Sequence, residues 1–148
     1  MKLSENFTLA EMIESPTARR LNYAEQFEPP LHVITNLTCL IESVLQPMRT
    51  ALSKPITVTS GYRCERLNKR VRGAKNSQHV GGEAADIRIH GLTTDEIVDF
   101  AIRFNIPFDQ IIEEFGSWVH ISFSQVSNRR EALRATKNSS GRTVYTKY

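Results

Sequence analysis

The chain predicts an α+β fold: a small, mainly antiparallel sheet with helices packed on one face and a polar site on the other. Three observations carry this. Capping boxes at Thr8–Glu11 and Thr93–Glu96 each open a helical stretch, and a long run with apolar residues three and four apart lies between them. Four short alternating or β-branched segments follow at 56–59, 84–89, 110–115 and 118–124, the last two close enough to form a hairpin. Asp86 and His120 fall on the strand faces opposite the apolar residues of those segments.

Taken in order, Thr8 is an N-cap with Glu11 at N3 and Phe7 as the staple, so a short helix runs to about Glu14. Ser15-Pro16-Thr17 breaks it or restarts one with Pro16 at N1. Asn22 to Pro30 reads as loop. Val33, Ile34, Leu37, Leu40, Ile41, Val44, Leu45 and Met48 mark the main core helix, about Pro30 to Leu52, with Pro47 expected to kink it or begin a new segment. Ile56–Thr59 is a strand, and Ser60-Gly-Tyr-Arg63 leaves its end. Glu65 to Val71 forms one or two helical turns, and Gly73 to Gln78 a loop. In the strand Ala84–Ile89, Ala84, Asp86 and Arg88 share one face, and Ala85, Ile87 and Ile89 the other.

The helix opened by Thr93 buries Ile97, Phe100, Ala101 and Phe104 and stops at Asn105 to Pro107. In the hairpin, Val119, Ile121 and Phe123 face the core, whereas Trp118, His120, Ser122 and Ser124 face away. A three-residue loop at 115–117 sets Glu114 opposite Trp118, on the face of His120. A two-residue loop at 116–117 sets Glu113 opposite His120 instead. The segment through Thr143–Thr146 can add a last edge strand.

The 148 residues suffice for one domain with one core, and the expectation is a single domain over 1–148 with a basic C-terminal tail at 125–148. No run of about 18 apolar residues exists to span a membrane. The N-terminus has no apolar stretch of a secretory signal, so the protein is expected to be cytoplasmic as synthesised, reaching any extracellular target by lysis or another export route. Cys39 and Cys64 are too few for a disulfide framework and read as reduced structural thiols. The formal charge of +3 is uneven: from Gln125 onward six basic residues stand against Glu131 alone, which leaves the body slightly acidic. A charge run of this density reads as a solvated segment rather than a nucleic-acid surface, so no nucleic-acid partner is expected. His32 and His90 lie outside any motif.

The chemistry concentrates in Ser77-Gln-His-Val-Gly-Gly-Glu-Ala-Ala-Asp86 and in Trp118-Val-His-Ile-Ser122. Two imidazoles and one carboxylate, His79, His120 and Asp86, suit zinc, which takes three protein ligands and one water in catalytic sites. A strand-borne aspartate that faces a groove is costly unless paired or bound to metal.

The fixed positions Ser77, His79, Gly82, Ala84 and Asp86 resemble the S-x-H-x-x-G-x-A-x-D signature of the zinc D-Ala-D-Ala carboxypeptidase family, which includes phage endolysins and shares a fold group with hedgehog signalling domains. Trp118-Val-His120 resembles its final ligand strand and Ser60-Gly-Tyr-Arg63 its arginine-bearing strand end. The resemblance implies zinc held by His79, Asp86 and His120, with Arg63 on the substrate carboxylate or the developing oxyanion. Many relatives carry an acid three residues before the last histidine, where this chain has Ser117. A glutamate six before it, as in the hedgehog-type pattern, falls on Glu114, which is the expected base. Ser77, Gln78 and Trp118 are candidate substrate-side groups. The implied activity is hydrolysis of a peptide bond in bacterial cell-wall stem peptides, next to a D-amino acid; separately from the resemblance, a monomer is expected. The implied partner is peptidoglycan or a D-Ala-terminated peptide. The rival is a catalytically inactive zinc module that binds peptidoglycan or a protein.

Overall fold

A computed structural model describes residues 1–148. Thr8 caps α1 (Leu9–Ile13) with a reciprocal box: its hydroxyl accepts from the Glu11 N–H and the Glu11 carboxylate accepts from the Thr8 N–H. Ser15 caps α2 (Pro16–Arg20), so Pro16 restarts a helix at N1, where its missing N–H costs nothing. The segment expected to be loop contains a 3₁₀ turn, Ala24–Phe27.

The main helix is α3 (Leu31–Leu40), a π-helical stretch (Ile41–Leu45) and α4 (Gln46–Leu52) in continuous succession. Pro47 lacks an N–H and its ring crowds the carbonyl four residues earlier; the wider π turn just before it absorbs both. Val33, Leu37, Leu40, Ile41, Val44, Leu45 and Met48 are all buried.

Then come β1 (Ile56–Ser60), α5 (Glu65–Arg70), β2 (Ala84–Ile89), α6 (Thr94–Arg103) and the hairpin β3 (Gln110–Glu114) and β4 (Trp118–Ser122). The basic C-terminal segment is folded, although most of its residues stay exposed. It forms two strands, β5 (Glu131–Lys137) and β6 (Thr143–Lys147), where at most one edge strand was expected. The sheet order is β1-β2-β4-β3-β5-β6, antiparallel throughout except for the parallel β3–β5 pair. Two of the tail's cations meet acids of the body: Arg129 pairs with Asp109, and Arg134 with the buried Glu113 and with Asp95 of α6; the Tyr148 hydroxyl donates to Asp99.

One apolar cluster joins α1, α3, α4 and α6 to Ala85, Ile87, Ile89, Ile111, Val119 and Ile121 on the inner sheet face. Four expected core residues, Ile34, Phe100, Phe104 and Phe123, lie outside it. Phe104 is 58% exposed because it is the C-cap of α6 and points past the end of the helix, stacked on Phe100, which is itself only half-buried. Val98 fills the buried face of α6 instead. Phe123 follows the last residue of β4 and is packed against the core at its margin.

Candidate metal centre and active site

His79 sits in the loop that leads into β2. Its backbone N–H donates to Ser77 Oγ at 3.2 Å, and the Asn36 amide donates to the Gly81 carbonyl at 2.9 Å. Gly82 has φ +77°, and a Cβ there would lie 2.8 Å from the Val33 carbonyl oxygen, so only glycine lets the loop lie against α3. His79 is 2% exposed, and its Nδ1 lies 2.7 Å from the Gly61 carbonyl oxygen. A carbonyl can only accept, so Nδ1 carries the proton and Nε2 is bare. Gly61 is itself obligatory: a Cβ there would collide with the Met12 carbonyl.

Asp86 and His120 are direct cross-strand partners on β2 and β4. Asp86 Oδ1 stands 3.3 Å from His79 Nε2 and 3.2 Å from His120 Nδ1, and the candidate ligand atoms of the three residues lie within 4.8 Å of one another. Burial pushes the His79 pKa down, which favours the neutral ring. A bare imidazole nitrogen facing a carboxylate oxygen puts lone pair against lone pair. A cation between them removes that repulsion, and two imidazoles with one carboxylate are the donor types that zinc takes. The residues therefore fit a metal ion. His79 also has the outer hydrogen bond, to Gly61, that fixes a ligand's tautomer and ring orientation.

A bulge in β1 puts Ser60 opposite Asp86, and the chain then turns into Arg63. The guanidinium lies 3.4 Å from Asp86 Oδ2 and donates to Ser60 Oγ and Asn68 Oδ1 at 3.2 and 3.3 Å. Arg63 thus pairs with the metal-site aspartate, not with Glu65 or Glu83. Gln26, which the sequence reading passed over, holds this loop. Fully buried, its amide donates to the Ile13 and Tyr62 carbonyls and its oxygen accepts from the Cys64 N–H, each at 2.8 Å. Only the 3₁₀ turn brings it there, so no local pattern marks it.

The hairpin has the three-residue loop, with Phe115 and Gly116 at φ 58° and 68°. Glu114 pairs with Trp118 and shares the face of His120. Glu113 lies on the other face, 3% exposed, and accepts from Thr94 Oγ1, the Gly116 N–H and Arg134. Burial, then the Asp86 charge, push the Glu114 carboxyl above its usual range, against the opposing pull of His120, the Trp118 side chain and Arg63. Ser117 is exposed in the turn, with its carbonyl accepting from Arg88.

Arg63, Ser77, Gln78, His79, Asp86, Glu114, Trp118 and His120 all line one cleft of about 440 Å³. Ser77 supports the His79 backbone. The Gln78 amide donates to Asp109 Oδ2 at 2.9 Å, and Asp109 is a second residue missed by the sequence reading. The Trp118 indole Nε1 is buried beside the Glu114 carboxylate, close enough to pull its pKa down but without a well-formed hydrogen bond. The cleft also takes in Arg129 and Tyr145 from the C-terminal segment, neither of which belongs to a motif.

A mainly antiparallel sheet that gathers two imidazoles, a buried carboxylate, a second, half-buried carboxylate and a guanidinium into one cleft defines a metal-dependent hydrolase class. Comparison with known proteins specifies it. Residues 5–122 match the model of the family described as Peptidase M15, and the chain belongs to this family of zinc metallopeptidases. Over 44 residues it is 52% identical to the zinc D-Ala-D-Ala carboxypeptidase of Streptomyces albus G. That stretch covers 29% of this chain and 17% of the relative's length.

Proposed function

We propose that the protein is a zinc-dependent peptidase of bacterial cell-wall stem peptides that cleaves next to a D-amino acid. The observation that carries this is the convergence of His79, Asp86 and His120 on the sheet face that also presents Glu114. The substrate class rests on the family signature and on the name of the Streptomyces relative.

His79, Asp86 and His120 hold the ion. When bound, zinc supplies a Lewis acid that brings a water's pKa towards neutrality and polarises the scissile carbonyl. Glu114 is the proton carrier: it takes the water's proton as the C–O bond forms and returns it to the amine as the C–N bond breaks. The Arg63 fork, tethered by Ser60 and Asn68, faces the negative charge of the oxyanion or of a substrate carboxylate.

The test is mass spectrometry of soluble products from purified peptidoglycan and short D-Ala-terminated stem peptides, with zinc, with chelator and with Glu114→Gln. Metal-dependent release of a defined fragment, lost in the variant, is the expected result and names the bond. Ser117 at the position where many relatives carry an acid favours a second reading, a zinc module that binds without cleaving. Stoichiometric zinc with no release under any condition selects it.

A further inference from the structure

The family match ends at residue 122, yet the cleft continues into the strands beyond it. Trp118 pairs with Glu114, Glu114 with Ala135, and Ala135 with Tyr145, in one row across β4, β3, β5 and β6. Directly paired residues project from the same face of a sheet. Tyr145 therefore stands on the face of Glu114 and His120, two strand spacings beyond Glu114, or roughly 10 Å along the sheet. Ala135 between them is fully buried, its methyl small enough for the flanking side chains to close over it. The Glu114 carboxylate is near enough to add to the effect of burial in raising the Tyr145 pKa.

Tyr145 is not spent on the fold. It is 52% exposed, and no hydrogen bond is among the causes of its shift. Tyr148, by contrast, is tied to Asp95 and Asp99. The platform under Tyr145 is anchored: Arg129 clamps Asp109 at the start of β5, and Arg134 clamps Glu113 at its middle.

We propose that Tyr145 is a specificity-determining contact for the leaving-group side of a peptide substrate. The inference rests on the peptidase reading. Glu114 returns its proton to the leaving amine, so that amine lies at Glu114. The chain that follows it runs along the sheet towards β5 and β6, over Tyr145. The ring offers a flat apolar surface to a small side chain or a peptide plane, and the hydroxyl a donor to a backbone carbonyl. The substrate it fits has at least one further residue after the cleaved bond.

The experiment compares the zinc-loaded wild type, Tyr145→Phe and Tyr145→Ala on two peptide series, one lengthened after the cleaved bond and one lengthened before it. Tyr145→Ala should lower kcat/KM about ten-fold, through KM, in the first series only. Tyr145→Phe should lie between, and zinc content and Tm should not change. Equal loss in both series, or loss confined to the second, overturns the proposal; the latter places the leaving group at Arg63. Calorimetric binding of the same peptides to Glu114→Gln, with and without Tyr145→Ala, separates the two readings. If the wild type cleaves nothing, the peptidase reading fails, while an about ten-fold weaker binding from Tyr145→Ala still supports the contact. Unchanged binding overturns it.

Discussion

Asp109, buried at the head of β3, receives both arms of Arg129, with Nη2 at 2.9 Å and Nε at 3.1 Å. The same carboxylate accepts from the Arg129 N–H and from Gln78, the neighbour of His79. One aspartate thus ties the C-terminal strands to the loop that carries a candidate metal ligand.

Arg129→Ala should leave this carboxylate short of partners and cost about 1–3 kcal/mol at neutral pH, a range that allows for the guanidinium being half-exposed. Arg129 holds the Asp109 carboxyl below the usual aspartate range. The folded form therefore binds fewer protons than the unfolded one, and the stability is present above the ordinary aspartate pKa and lost as pH falls through the depressed value. Urea denaturation at pH 7 and at pH 3 checks this: the difference between wild type and variant should shrink at the lower pH.

Glu114→Gln should reduce turnover by about 10²–10⁴-fold with zinc stoichiometry unchanged. Glu113→Gln should retain the chemistry and instead lower stability by about 1–3 kcal/mol, because it removes charge from a buried network with Arg134 and Thr94. Parallel kinetics and denaturation of the two variants test the assignment. Swapped phenotypes would sink it.

The pH dependence of Glu114 has the opposite sign to that of Asp109. Its folded pKa is raised, so its contribution to stability is present below the ordinary glutamate pKa and lost as pH rises through the folded value. Metal-free Glu114→Gln should therefore be at least as stable as the metal-free wild type at pH 7. Thermal melts of the two metal-free proteins at pH 4 and pH 7 check this: a wild type more stable than the variant at pH 7 would contradict it.

Gln26→Leu keeps bulk but leaves the Cys64 N–H and two carbonyls unpartnered, at a cost of about 1–3 kcal/mol for each unmatched group, reduced by whatever relaxation admits water. The strand end bearing Arg63 should loosen. Hydrogen exchange at Tyr62 to Cys64 should rise more than exchange in β4; uniform exchange across the sheet would refute the clamp.

Removal of the metal should destabilise the protein. Zinc at a hundred times its Kd contributes about 2.7 kcal/mol by mass action. Differential scanning calorimetry with and without chelator measures this. His79→Ala should abolish the difference, because it removes the ligand whose ring is already oriented by Gly61.

The sequence by itself determined what depends on short-range order. Side-chain alternation placed Asp86 and His120 on one face and capping boxes started α1 and α6, whereas the hairpin loop was narrowed to two lengths and only the assembled hairpin chose the three-residue loop that puts Glu114 on their face. Pro16 and Pro47 marked their positions through a missing N–H and a fixed φ, although the π-helical response to Pro47 depended on neighbouring turns. The tertiary structure alone decided the rest. Gln26, Asp109, Arg129 and Tyr145 act through partners ten or more residues away, so their polarity carries no local periodicity to betray them. The basic C-terminal segment resembled a solvated run of charge because its partners, Glu113, Asp95 and Asp109, lie on other elements. Its strands form because β3 has a free edge to be paired, and that edge exists only once the sheet has assembled.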